Sequence, residues 1–173
     1  MSLRTALVLV LQHPPLEEVR ARFDPVGTAA GIPLHVTLLF PFHAPEAVDE
    51  AALEALFAGW SPLRFALARV EEFPGVLWLA PEPDREVRAR MSEVYARFPE
   101  TPPYGGGFPE PIPHATVGQV AIGGSQEELS AAVRAAAEPH LPAEFELGEA
   151  SLLVEVAPDR WREARRFPLR AAA

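Results

Sequence analysis

The sequence predicts an α+β fold: a bilobal, pseudo-two-fold duplication in which two antiparallel sheets line a cleft and helices lie outside. Three observations predict it. Short Val/Leu-rich runs bounded by proline and glycine alternate with segments whose apolar residues recur at helical spacing. An order of strand, helix, strand, strand occurs over about 34–80 and again over about 114–169. Within that repeat Phe65-Ala66-Leu67 lies 30 residues after His35, and Phe145-Glu146-Leu147 lies 31 residues after His114. At 173 residues, 49% of them hydrophobic, the chain is expected to form one domain (1–173) of two lobes around a sizeable core.

The elements follow in order. Thr5–Gln12 reads as a strand covered on both faces, and Pro14-Pro15 opens a helix to Arg22 with Leu16, Val19 and Phe23 on one side. Gly27–Pro33 reads as loop, Leu34–Phe40 as a strand stopped by Pro41, and Glu46–Ala58 as a helix stopped by Gly59. Leu63–Glu72 and Val76–Ala80 form two strands across Pro74-Gly75. From Pro83 a third helix carries Val87, Met91, Val94, Tyr95 and Phe98 at helical spacing. Pro99–Pro113 is a Pro/Gly-rich loop and candidate lid. Its Gly105-Gly106-Gly107 lacks the Lys-Ser/Thr and helix start of a phosphate-binding P-loop. His114–Ile122 is again strand-like, and Ser125 with Glu128 caps a helix to Glu138. Phe145–Val156 and Arg162–Leu169 are expected as the last two strands, turning at Pro158-Asp159.

Composition narrows the chemistry. Without cysteine the chain has no disulfide, thiolate metal site or thiol nucleophile. Ala6–Leu11 is too short to span a membrane and carries no signal-cleavage pattern, so the expectation is a cytoplasmic protein with no membrane partner. A net charge of −9 argues against a long nucleic acid on a broad basic face. It leaves room for a small phosphorylated substrate or an RNA terminus held by a local cluster of arginines, the only basic residues besides histidine.

Two tetrapeptides stand out, His35-Val36-Thr37-Leu38 and His114-Ala115-Thr116-Val117, each closely following a proline. Residues i and i+2 of a strand share a face, so each motif presents an imidazole and a hydroxyl together and turns its apolar residues inward. Random placement of five histidines and five threonines gives roughly 0.14 such triplets in this chain, and two are present. Such a set suits acid–base catalysis. It also suits a zinc site, if a carboxylate from elsewhere completes the ligands, or a silent nucleotide- or RNA-binding module.

The paired motifs, and the segment HVTLLFPF from His35 to Phe42 in particular, resemble the two-histidine (2H) phosphoesterase superfamily and its bacterial 2′-5′ RNA ligase-like branch. That resemblance implies a bilobal fold and a reaction on a 2′,3′-cyclic phosphate or a 2′-5′ phosphodiester that needs no metal or other cofactor. It implies that His35 and His114 act as acid and base while Thr37 and Thr116 hold the phosphate oxygens. 2′-5′ ligation is the same chemistry reversed. The residues suit these roles, because an imidazole with a pKa near ~6.5 accepts or donates a proton around neutrality.

Several other residues are candidates. Tyr104 and Phe108 offer rings for stacking on a base, or anchors for their loop. Arg69 and Arg4 sit on expected strands, where they either add positive potential at the phosphate or form surface ion pairs. Trp78 reads as core, His43 as an exposed loop residue near the first motif, His13 and His140 as ordinary loop residues, and Arg160–Arg166 as a solvated basic face.

Overall fold

In the computed structural model, which describes residues 2–108 and 110–172, the unalternating run Thr5–Val10 becomes strand β1, buried along all but its last residue. Helix α1 (Pro14–Phe23) follows, capped by the His13 ring, whose Nδ1 accepts from Leu16 N–H at 3.3 Å. Helix α2 (Pro25–Ala29) leads to β2 (His35–Leu39); α3 (Glu50–Ala58), β3 (Leu63–Phe73), β4 (Val76–Glu82) and α4 (Arg85–Arg97) come next. The chain ends with β5 (Ala115–Gln119), α5 (Gln126–Ala137), β6 (Ala143–Leu147), β7 (Glu149–Ala157) and β8 (Arg160–Pro168). No helix among the described residues is long and apolar enough to cross a membrane.

The strands form two four-stranded antiparallel sheets, in the orders β2-β1-β7-β8 and β5-β4-β3-β6. The two repeat one another. In each, the motif strand is an edge strand, paired with the strand that precedes it in the chain. The helices cross over: α1, which follows β1, packs on β5 of the other sheet, and α4, which follows β4, packs on β2. Leu9, Val36, Leu38, Leu79, Val117 and Val133 belong to one core that joins sheets and helices, all fully buried. Burying a leucine or valine side chain of this kind contributes about 1.5–3 kcal/mol, so the core fixes the faces the two edge strands present. The expected α+β architecture of two antiparallel sheets with helices outside is the one observed.

Several boundaries differ from the sequence expectation. Phe145–Val156 is two strands, divided at Gly148: β6 joins one sheet beside β3, and β7 joins the other beside β1. Its β-rich composition hides the break, because pairing partners decide it and residue type does not. The expected loop Gly27–Pro33 includes the end of α2, which starts at Pro25 because the Asp24 carboxylate accepts from Gly27 N–H at 3.1 Å. The helix expected from Glu46 begins at Glu50, where Asp49 caps it, and Pro45–Ala47 is a separate 3₁₀ turn. β4 runs on to Glu82, so α4 starts at Arg85 instead of Pro83.

Candidate active site

Strand alternation places the motifs as the sequence predicts. Val36, Leu38, Ala115 and Val117 are fully buried, whereas His35, Thr37, His114 and Thr116 are half-buried on the opposite face. The backbone before each strand then holds the ring. His35 Nδ1 lies 2.7 Å from the carbonyl oxygen of Pro33, and His114 Nδ1 lies 2.7 Å from that of Ile112. Both partners are two residues upstream of the ring, so the two motifs repeat in side-chain geometry as well as in sequence. A carbonyl can only accept, so the proton of each neutral ring sits on Nδ1 and the lone pair is left at Nε2.

The two edge strands β2 and β5 touch across the groove between the sheets. Their imidazoles are close enough for charge on His114 to depress His35. The pair is not electrostatically symmetric. Burial, with positive charge on Arg20 and His114, lowers the His35 pKa to about 4 against the opposing pull of the Pro33 carbonyl. Burial lowers His114 as well, opposed by the Ile112 carbonyl.

On the β2 side the sheet opens into a cleft of about 700 Å³ whose walls include Arg4, His35, Thr37, Phe40, Tyr104 and Trp161. The Arg4 guanidinium lies 5.7 Å from the Phe40 ring centre and 5.5 Å from that of Trp161. Glu155 grips it in a fork of two hydrogen bonds, 2.9 and 3.0 Å long. Those bonds are the main cause of a Glu155 pKa held at about 2, below its ordinary 4.5. A carboxylate depressed on folding stabilises the protein above its unfolded pKa and loses that contribution as pH falls. Glu155→Gln is therefore expected to flatten the decline in stability between about pH 4.5 and 2, checked by urea unfolding across that range.

Across the groove, His114 packs edge-on against Phe73 at 5.2 Å and Trp78 at 5.9 Å, two rings that stack on each other at 4.7 Å. Trp78 is buried, as expected, but on the cleft face: its register partner on β5 is Thr116. Tyr104 stands beside Thr37, with burial pushing its phenol up and the Thr37 hydroxyl opposing that shift. Its backbone has a left-handed φ of 51°, and its N–H donates to the Phe40 carbonyl at 2.7 Å. A bulky residue in this region is strained, and here the strain sets an aromatic ring into the cleft.

The remaining candidates are dispersed. Phe108 packs edge-on against Tyr104 at 5.6 Å but is 61% exposed and outside the cleft walls. Arg69 shares a sheet face with Trp78 and Thr116 by register, yet Glu71 and Glu82 each take its guanidinium at 2.7 Å. The guanidinium is thus ion-paired on the surface, the second of the two roles its strand position allowed. His43 is half-buried, stacked on Phe42 at 4.3 Å with Nε2 2.9 Å from Glu100, and is not an open loop residue. The basic segment 160–166 is only partly a solvated face, because Trp161 turns into the cleft. Trp161 lines the cleft beside Arg4 and Phe73 packs on His114, and no local motif announced either aromatic ring.

The family model described as the 2′-5′ RNA ligase superfamily matches residues 9–159. The chain belongs to this superfamily. Among solved structures, Escherichia coli LigT complexed with 3′-AMP is similar at 18% identity, with 99% of this chain and 100% of that one covered and a TM-score of 0.59. A structure described only as a phosphoesterase gives 18% identity, 99% and 100% coverage and a TM-score of 0.62. Kluyveromyces marxianus Usb1 with uridine monophosphate gives 17%, 97% and 98%, and 0.51. At these identities the likeness is one of fold. A search of curated proteins found no match. The superfamily expected from the two motifs is thus the one that matches, over a span containing both.

Proposed function

We propose that the protein is a metal-independent phosphodiesterase that opens 2′,3′-cyclic phosphates, or cleaves 2′-5′ phosphodiesters, in nucleotides or small RNA ends. One observation carries this reading: both motif rings bond through Nδ1 to the carbonyl two residues upstream and present Nε2 as the working nitrogen. A cleft of about 700 Å³ with aromatic walls suits a nucleotide in size and chemistry. LigT with 3′-AMP and Usb1 with uridine monophosphate support a substrate of that class.

Burial and the charge of Arg20 favour His35 as the neutral partner, hence the base. Its Nε2 takes the proton of a water as the water oxygen attacks phosphorus. His114 Nε2 gives a proton to the departing ribose oxygen, so that the cyclic ester becomes a 2′-phosphate beside a free 3′-hydroxyl. Thr37 and Thr116 donate hydrogen bonds to the phosphoryl oxygens, where charge accumulates as the fifth bond forms.

The test is turnover of 2′,3′-cyclic mononucleotides in the presence of chelator, comparing the native protein with His114→Ala. Multiple turnovers yielding a 2′-phosphate, abolished in the variant, support the reading. Joining of RNA halves without release of a 2′-phosphate would place the protein on the ligation side. An undiminished His114→Ala enzyme would sink the mechanism. The free-enzyme pH profile is a second check. A base lowered to about 4 and an acid held below the ordinary imidazole value give a bell in kcat/KM with its maximum on the acid side of neutrality. A rate still climbing at pH 8 contradicts the assignment.

A further inference from the structure

The segment that delivers His35 to the cleft rests on a buried charge pair. Arg20, in the last turn of α1, is 6% exposed, and Asp24, just after that helix, is 2% exposed. Arg20 Nε lies 3.4 Å from Asp24 Oδ2, and the same guanidinium donates through a terminal nitrogen to the carbonyl of Ile32. The other Asp24 oxygen accepts from Gly27 N–H at 3.1 Å. The packing is close at Gly27, where a Cβ would stand 2.5 Å from Asp24 Oδ2 and 2.9 Å from a guanidinium nitrogen, so a larger residue there would displace the pair. On its far side the segment is tied to β8, with Trp161 N–H donating to the Ala30 carbonyl at 2.7 Å.

Burying a guanidinium is costly unless its pairing is good, and replacing such a pair by apolar groups is often no worse for stability. Stability alone is a weak reason for this one. Its geometry has a more specific consequence. Arg20 grips the carbonyl of Ile32, and the next carbonyl, that of Pro33, orients the His35 ring. Among the described residues the second motif has no such anchor: Ile112, whose carbonyl holds His114, is 41% exposed beside the glycine-rich loop.

We infer that Arg20 and Asp24 are a positioning pair for His35, fixing the Ile32-Pro33 backbone so that the imidazole keeps Nδ1 on the Pro33 carbonyl and Nε2 toward the substrate. This rests on the reading of His35 as the base. The charged and titratable groups around that ring are Arg20, with Asp24 as its counter-charge, His114 on the facing strand, the Tyr104 phenol beside Thr37, and, from the cleft wall, Arg4 neutralised by Glu155 together with Asp159 and Arg160. The pair also sets the sign of the local field. Removing the guanidinium lets His35 protonate more readily, whereas removing only the carboxylate makes protonation harder.

The experiment combines kinetics with NMR titration of the His35 ring in Arg20→Met, Arg20→Lys and Asp24→Asn. Arg20→Met is expected to lower kcat by about 10- to 10²-fold with KM nearly unchanged, as a misplaced catalytic group does. It should also raise the His35 pKa and weaken the Nδ1 proton signal. Arg20→Lys, which keeps a charged donor, is expected to recover part of that kcat. Asp24→Asn should move the His35 titration the opposite way, a pattern that general loosening of the fold does not produce. If Arg20→Met does not fold, the other two variants decide by the same titration. An unmoved ring titration and Nδ1 signal, or shifts of one sign in all variants, would overturn the inference. A fully active His35→Ala would instead remove the catalytic reading, and the titrations would still judge the positioning.

Discussion

His114→Ala and His35→Ala are each expected to reduce kcat on a 2′,3′-cyclic mononucleotide by about 10² or more, the usual worth of a general acid or base. The expectation comes from the matched geometry of the two rings, each held by one carbonyl at 2.7 Å with the proton on Nδ1. Neither loss should disturb the fold, because both side chains are half-buried at a cleft while their neighbours Val36 and Ala115 make the core contacts. The effects should not add in the double variant, since the base and the acid of one displacement act, and are lost, as a unit. Steady-state kinetics with thermal melts of the same samples check this. Near-native kcat in either folded variant would remove that histidine from the chemistry.

Thr37→Val and Thr116→Val are expected to cost about 10²–10³ each in kcat, the loss typical of one donor to a developing oxyanion. Valine keeps the β-branched shape that a strand accepts, so the substitution removes the hydroxyl and little else. Thr37 tests the idea more sharply, because its hydroxyl also faces the Tyr104 phenol. If the hydroxyl only anchored the loop, Thr37→Val would lower the melting temperature and spare kcat. If it binds the phosphoryl group, kcat falls at an unchanged melting temperature and Thr37→Ser restores it. Native kcat in both valine variants would leave the phosphate without its assigned donors.

The two motifs were legible because a period of two is a local property. His-x-Thr on a strand puts both polar groups on one face whatever the rest of the chain does, and the buried Val36, Leu38, Ala115 and Val117 follow from the same rule. Other features could not be read this way. Trp161 enters the cleft because β8 flanks β7, which in turn pairs with β1 far away in the chain, and no spacing in the sequence encodes that neighbourhood. Arg69 and Arg4 both looked available until pairing brought Glu71 and Glu82 onto one guanidinium and Glu155 onto the other. The break at Gly148 lies within a β-rich run, and only the separate partners of β6 and β7 expose it. By contrast, the start of α2 had a readable signal in Asp24-Pro25, a capping residue followed by a first-turn proline.

By itself the sequence determined two strands that each offer an imidazole and a hydroxyl, with enough apolar surface on their other faces to fold them into a core. The tertiary structure decided that these strands become touching edges of two sheets, and that the two histidines differ. Alternation is set by bond geometry within a few residues, so it survives any context. A pKa answers to burial and to charges such as Arg20, which reach the ring only once the chain has closed around it.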